Sequence, residues 1–354
     1  MAPLDWGLGH ATRCIPIIRA LVLNGFEVLI AAEGAQANLL RIEFPELVII
    51  PLEGYRVRYS RQPAWLPGVL LWQLPRLIRV IHRENRWLQG IIREHKIDLI
   101  ISDNRYGLNT KKVPCVFITH QLRIKAPFEW LENILQQINY HYINRYTACW
   151  VPDAPGAINV AGILSHPQKL PRIPVHYIGL LSRFQFQTGD IKYDYCILLS
   201  GPEPQRTLLE KKLLTQLADG HERILLVRGK PGTDEVITTP KHITVENHLP
   251  NTALQAALLQ SHFIISRSGY TTIMELILLH KKAILVPTPG QTEQEYLAQK
   301  LTEDHISFTV TQNELNCALH LGQAKAFPFQ IAEIPAFEPE NISFLVNASI
   351  TRFI

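Results

Sequence analysis

The residues with the greatest capacity for chemistry lie near the start, in the run Asp5-Trp6-Gly7-Leu8-Gly9-His10-Ala11-Thr12-Arg13. Gly7 and Gly9 carry no Cβ, so the backbone can take positive φ there and let a ligand approach the main chain. A helix expected from Ala11 to Leu23 then aims its first N–H groups and its positive dipole end at that ligand. His10 sits at the helix mouth, where an imidazole can serve as a base or proton relay. The third glycine of the dinucleotide fingerprint is missing, with Arg13 not supplying it. The turn therefore also reads as a plain strand-to-helix connection with a solvated histidine.

Other candidates stand at the ends of expected strands. Ile97–Ser102 runs into Asp103-Asn104-Arg105, and Pro114–Thr119 runs into His120-Gln121. Ligands of open α/β sheets gather at the carboxyl ends of strands, so His10, Asp103 and His120 are expected on one face. A helix cap or turn former remains the alternative for Asp103, and a structural hydrogen bond for His120. In the second half, Ser200-Gly201 and Ser268-Gly269 are small-residue turns that offer N–H groups and a hydroxyl to phosphate oxygens. Arg206 or Arg267 adds charge. Glu275 follows Ser268 by about two helical turns and suits the hydroxyls of a ribose, as acidic residues do in dinucleotide sites; the alternative is a solvated carboxylate. Gln294 and Glu295 open the helix after Pro287–Gln291 and could hold sugar hydroxyls. No Asp-x-Asp metal motif occurs.

These positions require a particular scaffold. Strands are expected at Phe26–Ala32, Leu47–Ile50, Ile97–Ser102, Pro114–Thr119 and Ala148–Val151, with a helix over Phe128–Arg145. The second half repeats the alternation with strands at Tyr195–Leu199, Arg223–Arg228, Ile243–Val245, Phe263–Ile265 and Ala283–Val286. Strands alternating with helices imply βαβ units and parallel sheets. The expected architecture is α/β: two Rossmann-like domains facing across a cleft, over residues 1–182 and 190–335. A linker falls near 180–192, and a tail, 336–354, could pack back on the first domain. Only Met1–Leu4 precede the first glycine turn, short for a buried strand, so a natural start a few residues upstream is expected.

Composition narrows the function classes. The 354 residues are 47% hydrophobic and 19% charged, with a net charge of +4, a balance that argues against a protein held to nucleic acid by phosphate contacts. Cys14, Cys115, Cys149, Cys196 and Cys317 are scattered and form no Cys-x-x-Cys pair. They indicate neither a disulfide framework nor a zinc site, and fit a reducing cytoplasm. No signal peptide or membrane-length apolar run is present. Residues 55–95 interleave Arg56, Arg58, Arg61, Arg76, Arg79, Arg83, Arg86 and Arg93 with Trp65, Trp72 and several leucines. Such a segment can lie in a membrane interface. It also reads as a loop followed by a core-packed helix, since Pro63, Pro67 and Pro75 should break any long one.

Gly7-Leu8-Gly9-His10, with Arg267-Ser268-Gly269, Glu275, Pro287 and Gln294-Glu295, resembles the GT-B glycosyltransferases, notably those adding GlcNAc to an undecaprenyl-linked muramyl peptide. Ser-Asp-Asn-Arg-Tyr-Gly and Gly-Gln-Thr-Glu-Gln-Glu match an uncharacterised bacterial group of that superfamily. The resemblance covers nearly the whole chain, most weakly in 55–95 and after 325. It implies a metal-independent hexosyltransferase, with no cofactor beyond a nucleotide-sugar substrate, UDP-linked in the relatives. Glu275 would take the ribose, and Ser200-Gly201 and Ser268-Gly269, with Arg206 or Arg267, the diphosphate. Gln291, Gln294 and Glu295 would lie at the donor sugar. His10 would be the base and Asp103 its orienter, with Gly7, Gly9, Asn104, Arg105 and His120 on the acceptor side. A lipid-linked or envelope-glycan acceptor would place the protein on the inner face of the cytoplasmic membrane, using 55–95. The relatives carry Gln at the position of Glu295 and a longer glycine loop. Two alternatives stand: a UDP-sugar hydrolase of nonulosonic acid synthesis, which opens with the same Gly-x-Gly-His-x-x-Arg pattern, and a non-catalytic nucleotide-sugar binder.

Overall fold

A computed structural model of the chain describes residues 1–55 and 66–351, and of residues 66–74 only the helical backbone. The chain divides into two compact units, Met1–Arg183 with Ile334–Ile354, and Phe184–Glu333.

In the first unit the elements run β1 (Ala2–Pro3), α1 (Leu8–Leu23), β2 (Ile30–Ala31), α2 (Gly34–Glu43), β3 (Ile49–Ile50), α3 (Leu66–His95), β4 (Ile100–Asp103), β5 (Cys115–Ile118), α4 (Glu129–Ile143), β6 (Ala148–Val151) and β7 (Val175–Tyr177). Every strand pairing among the described residues is parallel, in the order β1-β4-β5-β6-β7, with β2 paired to β3. The Ala31 amide donates to the Met1 carbonyl at 2.9 Å, which sets β2 beside β1 on the side away from β4. The order thus reverses direction at β1/β4, where α/β sheets leave a crevice at the strand ends. β4, β5 and β6 are buried along their whole length. In β5 and β6 that requires the continuous apolar runs characteristic of parallel strands covered on both faces, whereas β4 ends on the polar Ser102 and Asp103.

Helix α3 departs from expectation, since it runs unbroken from Leu66 through Pro67 and Pro75. Pro67 falls in the first turn, where no N–H partner is lost. Pro75 forfeits one bond in a helix that Val80, Ile81, Glu84 and Leu88 bury against the unit. Arg76, Arg79, Arg83, Arg86 and Arg93 face solvent. Arg56, Arg58, Arg61, Pro63 and Trp65, and the side chain of Trp72, lie outside the described residues.

The second unit comprises β8 (Tyr193–Leu198), α5 (Gln205–Leu217), β9 (Ile224–Val227), β10 (Ile243–Glu246), α6 (Asn251–Leu259), β11 (Ser261–Ser266), α7 (Tyr270–Leu278), β12 (Lys282–Leu285), α8 (Thr292–Glu303), β13 (Ser307–Thr309) and α9 (Cys317–Ala326). Its sheet is parallel, in the order β10-β9-β8-β11-β12-β13, the doubly wound order with its reversal at β8/β11. A core of Tyr195, Ile197, Leu209, Leu213, Leu226, Ile265 and Ile284 fills the face under α5 and α9.

After Ile334 the chain rejoins the first unit. Helix α10 (Ile342–Ile350) lies against it, with Trp150 Nε1 donating to Ser349 Oγ at 2.9 Å. The cysteines are all buried and free.

Candidate active site

The reversal of strand order in the first unit brings together side chains remote in sequence. Pro3 and Asp103 are register partners, so the turn after β1 and the end of β4 open on the same crevice. Gly7 makes the turn, with φ of 77°, and Gln36 Nε2 secures it by donating to the Gly7 carbonyl at 2.7 Å. Helix α1 starts at Leu8 rather than Ala11, so Gly9 is a helical residue rather than part of the turn. Thr12 Oγ1 donates back to the Gly9 carbonyl at 2.9 Å. His10 and Arg13 are thereby one turn apart on one helix face.

His10 Nδ1 lies 2.8 Å from Asp103 Oδ2. An ionised carboxylate only accepts, so this contact puts the ring proton on Nδ1 and leaves a lone pair on Nε2, an assignment made from the hydrogen bonding. Arg13 takes the other carboxylate oxygen, with Nε at 3.0 Å from Oδ1 and Nη2 on the same atom. Its Nη1 lies 3.2 Å from His120 Nδ1. The Cys14 thiol approaches Oδ2 at 3.8 Å. Arg13 and Asp103 are 2% and 0% exposed as side chains, whereas His10 keeps 15%, so of these three the imidazole reaches the surface most.

The charges reinforce this arrangement. Burial lowers the pKa of His10 and the Arg13 cation lowers it further, outweighing Asp103. Its imidazole is therefore neutral at pH 7. Burial alone would raise the pKa of Asp103, but Arg13 and His10 with their hydrogen bonds hold it below the ordinary carboxylate range. Burial and the adjacent Asp103 push the Cys14 thiol well up, which keeps it protonated.

Two acceptor-side expectations change. Arg105 is fully buried, with Nε 2.6 Å from Glu84 Oε1 and Nη1 3.2 Å from the Pro3 carbonyl. Its guanidinium braces β1 against α3. Asn104 is half-buried, takes φ of 55° and donates its N–H to Ile118. It turns the chain out of β4.

In the second unit the loops after β8, β11 and β12 neighbour one another. Gly201 has φ of 99° and is exposed with Ser200; a Cβ there would lie 3.7 Å from Thr288 Oγ1. Gly269 caps α7, and space around it is open. The Ser268 hydroxyl is buried and donates to the Gln294 carbonyl at 2.8 Å. Gln294 Oε1 accepts from the Thr288 amide at 2.9 Å, and Glu295 Oε1 accepts from Gly290 at 2.9 Å. Gln294 Nε2 reaches Gln291 Oε1 at 2.5 Å. These side chains hold the loop after β12 in shape. Glu275 is 4% exposed, so it is not a solvated carboxylate.

The two arginines assigned to the diphosphate are internal. Arg206 bonds Glu203 and Glu210 at 2.5 and 2.7 Å, in a buried network with Arg228 that already balances its charge. Arg267 donates to the carbonyls of Val286, Pro287 and Gln205 and to Gln312 Oε1. Burial lowers its pKa to about 10. Reading the sequence missed Arg13, although its i+3 spacing from His10 was a signal.

Two doubly wound, all-parallel α/β units with polar groups at each reversal of strand order define a GT-B glycosyltransferase fold. Residues 209–324 match the glycosyltransferase family 28 C-terminal domain, which supports glycosyl transfer as the class of activity. An uncharacterised glycosyltransferase of Methanosarcina acetivorans is 23% identical over 323 residues, covering 84% of this chain and 81% of that protein. The glycosyltransferase SnogD from Streptomyces nogalater superposes with a TM-score of 0.61 at 18% identity, over 98% of this chain and 97% of that one. MurG of Acinetobacter baumannii superposes with a TM-score of 0.54 at 13% identity, over 99% and 92% of the two chains.

Proposed function

We propose that the protein transfers a hexosyl group from a UDP-linked donor to an acceptor hydroxyl, with His10 as general base and Asp103 as its orienter. The observation that carries this reading is the His10–Asp103 contact of 2.8 Å, on an imidazole that is neutral at pH 7 and reaches the surface. His10 Nε2 removes the acceptor proton as the hydroxyl oxygen attacks the anomeric carbon. Asp103 stabilises the imidazolium that forms, as in acyl-transfer triads. In the second unit, the turns at Gly201 and Gly269 and the N-terminus of α7 receive the leaving diphosphate. Glu275 takes the ribose, and the loop shaped by Gln291, Gln294 and Glu295 lies at the donor sugar.

A lipid-linked or envelope-glycan acceptor is supported by the surface of the first unit. Phe128, Trp130, Ile134 and Ile138 are exposed on or beside α4, and α3 presents its arginines to solvent. Aromatic and basic side chains of this kind sit in membrane interfaces. Among the described residues no helix is long and apolar enough to cross a membrane.

A thermal-shift panel of UDP, GDP, CMP, TDP and their common sugars tests the donor assignment, on the wild type and Glu275→Ala. A ligand at 100 times its dissociation constant stabilises by about 2.7 kcal/mol. A shift confined to uridine compounds and lost in the variant is expected; no shift with any nucleotide overturns the reading.

A further inference from the structure

We propose that Arg13 is a positioning residue that gives two histidines opposite tautomers: His10 with its proton on Nδ1 and lone pair on Nε2, His120 with its lone pair on Nδ1 and proton on Nε2. The inference deepens the glycosyl-transfer reading and rests on it for its chemical use, although the tautomers themselves do not.

The geometry leaves little freedom. A guanidinium has five N–H donors and no acceptor, so the His120 Nδ1 that stands 3.2 Å from Arg13 Nη1 must accept. The neutral His120 ring then carries its proton on Nε2. On its other edge Arg13 donates Nε and Nη2 to Asp103 Oδ1. Oδ2 is left to accept from His10 Nδ1 at 2.8 Å, which fixes the opposite tautomer there. Among the described residues, the charged and titratable groups acting on His10 are Arg13 from α1, Asp103 from β4 and His120 from the loop after β5, with the Cys14 thiol against Asp103. Arg13 touches both Asp103 and His120.

Arg13 also fixes the charge state. A carboxylate at 0% exposure beside an imidazole would otherwise take up a proton or draw one onto His10, and either event removes the base. Arg13 cancels the Asp103 charge, so Asp103 orients His10 without making it a strong proton sink. The first unit thus presents an acceptor at His10 Nε2 for the hydroxyl proton, with the buried His120 bonded to Arg13.

The test is long-range 1H–15N correlation of imidazoles in the full-length, 15N-histidine-labelled protein at pH 7.5, with His10→Gln and His120→Gln for assignment. The wild type is expected to show a pure Nδ1–H pattern for His10 and a pure Nε2–H pattern for His120. In Arg13→Met the His10 titration midpoint should rise by about one unit, and His120 should lose its single-tautomer pattern. Arg13→Lys, which keeps the charge without the fork, should hold the His10 midpoint while failing to hold the His120 pattern. The same tautomer on both histidines in the wild type overturns the proposal, and needs no variant to fold. So does an Arg13→Met protein in which both resonances stay unchanged. The nucleotide panel above fails or succeeds independently, so loss of the donor assignment and loss of this proposal are told apart.

Discussion

Asp103→Asn is nearly isosteric, and the structure says what it will do. Oδ1 of residue 103 receives Nε and Nη2 of Arg13, and Arg13 has no acceptor to offer in exchange. The asparagine oxygen must therefore stay on Arg13, which turns the amide NH2 toward His10 Nδ1. A donor now faces that nitrogen, so His10 must place its proton on Nε2, the atom that should receive one from the acceptor hydroxyl. General-base catalysis is worth about 10²–10⁴-fold, so turnover should fall by that factor, or about 2.7–5.4 kcal/mol at 1.36 kcal/mol per decade. The variant also leaves Arg13 buried without its countercharge, a loss of up to about 3–5 kcal/mol for a buried pair broken on one side. Release of nucleotide from the donor measures the first effect, and urea unfolding of the same preparation the second. Imidazole 15N shifts separate them, because only the tautomer change moves the His10 resonances from the Nδ1–H to the Nε2–H pattern. A folded Asp103→Asn protein that keeps His10 protonated on Nδ1, or keeps turnover within about threefold of wild type, refutes the reasoning.

Other outcomes follow from the same geometry. His10→Ala should lower turnover by about 10²–10⁴-fold while leaving the nucleotide thermal shift intact, because His10 lies in the other unit from the turns proposed to bind the donor; loss of both together would contradict the assignment. The lowered His10 and Asp103 pKa values mean the unfolded chain binds more protons than the folded one as pH falls. Stability should therefore drop below pH 6.5 as His10 is forced to protonate, and again below the ordinary aspartate value as Asp103 is; urea midpoints flat from pH 7 to pH 3 would exclude this. Arg105→Met strands Glu84, which is 2% exposed and already raised in pKa by burial, and should cost about 3–5 kcal/mol by chemical denaturation. Thr288 Oγ1 is buried without a hydrogen-bond partner, so Thr288→Val should stabilise the protein by about 1 kcal/mol or more; a destabilised Val variant would mean the hydroxyl is bonded.

The sequence alone was enough to locate the buried central strands, because strands covered on both faces need runs such as Cys115–Ile118 and Ile224–Val227 that no surface element tolerates, whereas the partly exposed β7 and β13 were not expected. It also marked the glycine turn and the polar residues at strand ends, since turn chemistry and strand termini are local. Pairing was beyond it: His10 and Asp103 are 93 positions apart, and only the register of β1 on β4 brings them to 2.8 Å. The roles of the arginines were also undecided. Arg13, Arg105, Arg206 and Arg267 look alike in a sequence, and a guanidinium that finds Glu84 or Glu210 inside the fold is framework. The one that finds Asp103 and His120 belongs to the proposed site. Which partner each meets depends on burial and sheet order, and those exist only once the chain has folded.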